Sequence, residues 1–120
     1  MAPEGTDAVF SPYRLLRLAD DIESESVAVG YAAAFLEMLP ARTKRILATV
    51  RGGDTAAAVD AILSLKVCSH MVGGFVLEQS CRALEKCLSD GDPSSAVTAA
   101  QHVAKEAHAL RLALEGFLRQ

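Results

Sequence analysis

The chain has 120 residues, a length that suits one compact domain, and 51% of them are apolar, enough to build a real core. A formal charge of −3 gives no basic footprint for nucleic acid, and no apolar run reaches the roughly 18 residues that a membrane-spanning helix needs. Three cysteines, Cys68, Cys81 and Cys87, have neither framework spacing nor a close zinc-type ligand pair, so they read as buried reduced thiols, with no metal and no cofactor implied.

Residues Met1 to Phe10 carry Pro, Gly, Thr and Asp without a period, and are expected to form a flexible tail (1–10) before a domain spanning 11–120. The tail lacks a basic start followed by an apolar core, so it is no secretory signal, and the expected location is cytoplasmic. Ser11-Pro12 marks a helix start: the serine can cap free N–H groups, and proline fits the first turn. Leu15, Leu16 and Leu18 make a short apolar patch on what reads as a cap helix ending at Ala19-Asp20-Asp21.

Ser24 or Ser26 can cap the second helix, predicted from about Glu25 to Arg51. Its apolar positions are Val27, Tyr31, Ala34/Phe35, Met38/Leu39, Ile46/Leu47 and Val50. Pro40 falls inside, but the stripe resumes in phase, which favours one kinked helix over a break at Leu39/Pro40. Gly52-Gly53-Asp54 supplies a left-handed stop and then an N-cap.

The third helix, Thr55 to about Val72, has two apolar faces when wound at about 100° per residue. Ala58, Ala61/Ile62, Leu65, Cys68/Ser69 and Val72 form the inward stripe. Val59, Leu63, Val67 and His70 share the opposite face, where a surface helix should be polar. That anomaly points to an interface. Gly73-Gly74 ends the helix. The fourth runs from about Phe75 to Leu88, with Val76/Leu77, Ser80/Cys81, Leu84 and Cys87/Leu88 inward.

Ser89-Asp90-Gly91-Asp92-Pro93 repeats the stop-and-start chemistry, with Asp92 as cap and Pro93 at the first helical position. The fifth helix, Pro93 to Leu118, carries Val97, Ala100, Val103/Ala104, Ala107, Leu110/Arg111, Leu114 and Phe117/Leu118. His102 and His108, six residues apart, do not share a face and form no metal pair. No segment alternates at period two. Four long amphipathic helices with short connections predict an all-α, antiparallel up-down four-helix bundle with a short N-terminal cap helix. The chain holds no Ser/His/Asp signature, phosphate loop or nucleotide motif.

From about Leu15 to Leu118 the chain resembles the histidine-containing phosphotransfer (HPt) domain of phosphorelays. Phe35-Leu36-Glu37-Met38-Leu39-Pro40 looks like the family's second helix, and Gly53-Asp54 like the following turn. The central family pattern, H-x-L-K-G-x-x-x-x-L-G-A, lies without gaps on Leu63 to Gly74. Leu65, Lys66 and Gly73 match as identities, and Val72 and Gly74 as conservative replacements. Glu78, Cys81, Leu84 and Glu85, then Gly91-Asp92, continue the pattern.

The departures concern the chemistry. On this resemblance the phosphoaccepting histidine is replaced by Leu63, which has no nucleophile. The small glycine that leaves room for a response regulator's active-site loop is replaced by Val67. Lys66, which in the family favours the phosphohistidine's negative charge, is retained. The resemblance therefore implies a degenerate module that is not an enzyme. It would bind a response-regulator receiver or another signalling protein through Val59, Leu63, Val67 and His70, with Lys66 offering charge at the rim. Two alternatives stand beside it. One is a structural bundle that forms a homodimer through the same stripe. The other is phosphotransfer relocated to His70, seven residues and about 10 Å along the axis from Leu63.

Overall fold

The computed structural model describes residues 9–21 and 25–120. Among the described residues five helices follow one another: α1 (Pro12–Asp21), α2 (Glu25–Arg51), α3 (Thr55–Met71), α4 (Phe75–Ser89) and α5 (Pro93–Leu118). Short α1 packs mainly on α2, and α2 to α5 make a four-helix bundle in which α2 closes the ring against α5. The described residues contain no strand. No helix among them is long and apolar enough to cross a membrane.

The connections follow from their residues. Gly53 and Gly91 adopt positive φ (72° and 68°), the left-handed stop that L side chains disfavour. One residue on, Asp54 Oδ1 accepts the Ala57 N–H at 3.2 Å, and Asp92 Oδ1 accepts the Ser95 N–H at 3.1 Å. Each carboxylate satisfies a donor that a helix N-terminus leaves orphaned. The predicted cap Ser24 lies outside the described residues. Helix α2 runs through Pro40 unbroken.

The turn between α3 and α4 is tighter. Gly73 takes φ +85°, and a Cβ there would run into the Ser11 carbonyl oxygen. The Ser11 N–H donates to the Gly73 carbonyl at 2.7 Å, which ties the start of α1 to this turn. A Cβ on Gly74 would come within 2.5 Å of Leu110 Cδ2. The two glycines therefore let α1 and α5 close over one end of α3.

The core is the inner face of each stripe: Phe35, Leu39 and Ile46 from α2, Ile62 and Leu65 from α3, Leu77 and Leu84 from α4, and Leu110 and Leu114 from α5. Two parts of the sequence reading change. In the first two turns of α2 the buried positions are Ala28 and Ala32, whereas Val27 and Tyr31 are exposed; further along, Phe35 and Leu39 are buried and Met38 is exposed. The buried face is rotated by one residue, because alanine permits closer approach of a neighbouring helix than a larger side chain does. The packed domain also begins earlier than residue 11. Phe10 is 1% exposed, and its ring meets Phe117 edge-on at 5.3 Å. Residues 1–8 of the expected tail lie outside the described residues.

Candidate functional site

The outward face of α3 is built by the same helical phase that buries Ala58, Ile62, Leu65 and Ser69. Ser69 is accommodated in the core because its hydroxyl donates to the Leu65 carbonyl, 2.6 Å away. On the opposite side Leu63 is 43% and Val67 58% exposed, while Val59 is half-buried. Each side chain, being only about half exposed, gives up roughly half of the about 1.5–3 kcal/mol that complete burial is worth. A binding partner could recover that energy.

The apolar patch is wider than α3. Exposed Tyr31 and Met38 of α2 border a small notch of about 110 Å3 with Arg42 and Cys68. Arg42 Nη1 donates to Ser64 Oγ at 2.5 Å and reaches Cys68 Sγ at 3.7 Å, while Nη2 approaches Met38 Sδ at 3.7 Å. Burial and a hydrogen bond shared with the Cys68 thiol push the Tyr31 hydroxyl up to about 12, so it stays protonated. The α2 contribution escaped the sequence reading because Tyr31 and Met38 fit an inward stripe as well as an outward one.

The polar members of the predicted site are engaged. Lys66 Nζ lies 2.8 Å from Glu85 Oε1, with only 19% of its side chain exposed. Lys66, expected to offer charge at the rim, is thus paired within the α3–α4 seam. His70 is half-exposed, rests on the Phe75 ring at 5.5 Å and places Nδ1 3.0 Å from Glu78 Oε1. Glu78 is buried, and its other oxygen accepts from Arg82 Nη2 at 3.1 Å. Burial opposes the Glu78 charge, but the hydrogen bonds from His70 and Arg82 and their charges outweigh it, so its carboxyl lies below the usual glutamate range. An ionised carboxylate only accepts, so Nδ1 of His70 donates to Glu78 Oε1.

Sequence spacing placed His70 on this face, but nothing in it announced Glu78 as the partner, since the pair forms across a turn. Among the described residues no cluster of three or more His, Cys, Asp and Glu side chains could hold a metal ion. Cys81 is fully buried, and burial together with nearby Glu85 raises its thiol to about 12. Cys68 and Cys87 are half-buried and free. His102 and His108 lie away from the α3 face, in grooves on either side of α5.

No family model and no curated protein matches the chain. Among solved structures, the crystal structure of histidine-containing phosphotransfer protein B (HptB) from Pseudomonas aeruginosa PAO1 superposes with a TM-score of 0.81. The match covers 92% of this chain and 94% of that one, at 19% sequence identity. The fold is therefore HPt-like: a short N-terminal helix followed by four packed helices.

Proposed function

We propose that this chain is a non-phosphorylatable HPt-like module of two-component or phosphorelay signalling, and that it binds a response-regulator receiver through α3. The observation that carries the reading is Leu63. By motif register it stands where the family has its phosphoaccepting histidine, and it is 43% exposed beside Val67 instead of being folded into the core. A phosphoryl acceptor has become an apolar anchor, which cannot attack phosphorus but can be desolvated by a partner. On this reading the protein sequesters or scaffolds a regulator and catalyses nothing.

The test is light scattering of the purified protein, alone and with receiver domains from the same source. A monomer that forms a one-to-one complex, lost in Leu63→Asp while the thermal melt is unchanged, supports the proposal. A stable dimer that ignores every receiver makes the exposed stripe a self-interface. Unfolding of Leu63→Asp would show that the side chain is structural.

One observation favours a second reading, phosphotransfer through His70. Glu78 holds Nδ1, which orients the ring and leaves Nε2 as the nucleophilic nitrogen. Incubation with a phosphorylated receiver separates the two. Acid-labile phosphate on the wild type that is absent from His70→Gln establishes transfer through His70, and its absence from the wild type leaves binding alone.

A further inference from the structure

Helices α2 and α5 leave a surface groove of about 280 Å3 on a different side of the bundle from the α3 face. Its floor is apolar, made by Leu39, Leu47 and Ala104. The groove persists because Ala104 and Ala107 are too small to fill the space opposite Leu47. Apart from Thr43, its polar groups are basic or imidazole: Lys44 from α2, and His108 and Arg111 one turn apart on α5. None of the lining residues is acidic, in a chain whose net charge is −3.

The Arg111 side chain is 40% exposed and pairs only loosely with Glu115, whose Oε1 lies 3.9 Å from Nε, too far for a hydrogen bond, so its guanidinium is available to an anion in the groove. Thr43, also in the lining, already spends its hydroxyl on the Leu39 carbonyl at 2.8 Å.

We infer that the α2–α5 groove binds a small organic anion, its apolar body on Leu39, Leu47 and Ala104 and its anionic head among Lys44, His108 and Arg111. The volume is just under the roughly 300–1,000 Å3 of drug-sized pockets, which limits the ligand to about one fused ring pair or a short branched chain. The basic rim selects a carboxylate, sulfonate or phosphate over a neutral group of the same shape.

The experiment is an amide-shift NMR titration of the full chain with naphthalene-1-sulfonate, set beside the neutral naphthalene-1-methanol. The expected result is saturable shifts at Lys44, Leu47, Ala104, His108 and Arg111, with the sulfonate bound about tenfold tighter or more. Ala104→Leu, which fills the floor, should abolish these shifts. Lys44→Gln with Arg111→Gln, which leaves the floor intact and keeps the test valid if Ala104→Leu misfolds, should weaken the sulfonate about tenfold. Equal binding of the alcohol, shifts centred elsewhere, or shifts at these amides that grow with protein concentration alone would each overturn the inference, the last by making a second copy the occupant.

Discussion

Two residues carry more of the structure than their exposure suggests. Gly73 combines a positive φ with a position where a Cβ meets the Ser11 carbonyl, whereas Gly53 has the same sign of φ and open space around it. Alanine at Gly53 therefore suffers only the left-handed penalty of about 1–2 kcal/mol. Alanine at Gly73 adds a steric clash with backbone and should destabilise by clearly more, read from paired denaturant melts. Equal losses would mean that the Ser11 tether yields without strain. Glu78 makes a pH prediction. Its folded-state pKa lies below the unfolded value, so the folded protein binds fewer protons in that window, and stability rises with pH there. The contribution is complete above the unfolded glutamate value of about 4.3 and is lost as pH falls through the folded value. Glu78→Gln should melt lower than the wild type near neutrality and converge with it in acid. Parallel melting curves from about pH 6 down to about pH 3 would remove Glu78 from the account.

At the scale of elements, most of the fold was readable because helix punctuation is local. Gly52-Gly53-Asp54 and Gly91-Asp92-Pro93 carry their own stop and cap chemistry, and the helices begin where those residues dictate. Asp54→Ala should destabilise by about 1 kcal/mol through loss of the Ala57 N–H acceptor, while Asp54→Asn should retain most of it. A melt in which Asn is as damaging as Ala would assign the effect to charge at the helix N-terminus instead of capping. What the sequence could not disclose lies between elements. The Lys66–Glu85 and His70–Glu78 pairs join α3 to α4, and Arg42–Ser64 joins α2 to α3. Each depends on how two stripes are rotated against each other, and periodicity leaves that rotation free by about one residue. The shift in α2 from Val27 and Tyr31 to Ala28 and Ala32 is the same freedom seen in the core, and it is what exposed Tyr31 and Met38 beside the α3 face.

The molecule, about 41 × 26 × 20 Å, has an HPt-like frame, and the proposed function holds that its outward α3 face has changed chemistry. The frame and the chemistry can be separated by restoring the latter in steps. Leu63→His puts an imidazole at an exposed outward position without disturbing the core, so the variant should fold like the wild type. It should still accept little phosphate from a phosphorylated receiver. Val67, one turn on, is 58% exposed, and on the proposed function its branched side chain would stand where the receiver's active-site loop has to enter for in-line attack. A misplacement on the order of 1 Å can slow such transfer about a hundredfold. Leu63→His with Val67→Gly removes that obstruction, although glycine within the helix costs roughly 1 kcal/mol of stability relative to alanine. The double variant should therefore take up phosphate at least about a hundredfold faster than the single one. Both should be measured with His70→Gln in the background, so that any label reports residue 63. Efficient labelling of the single variant would show that Val67 is no barrier. Failure of a folded, receiver-binding double variant would place the lost chemistry elsewhere, with Lys66 the first residue to free, since Glu85 now holds the ammonium that would have to meet the phosphoryl group.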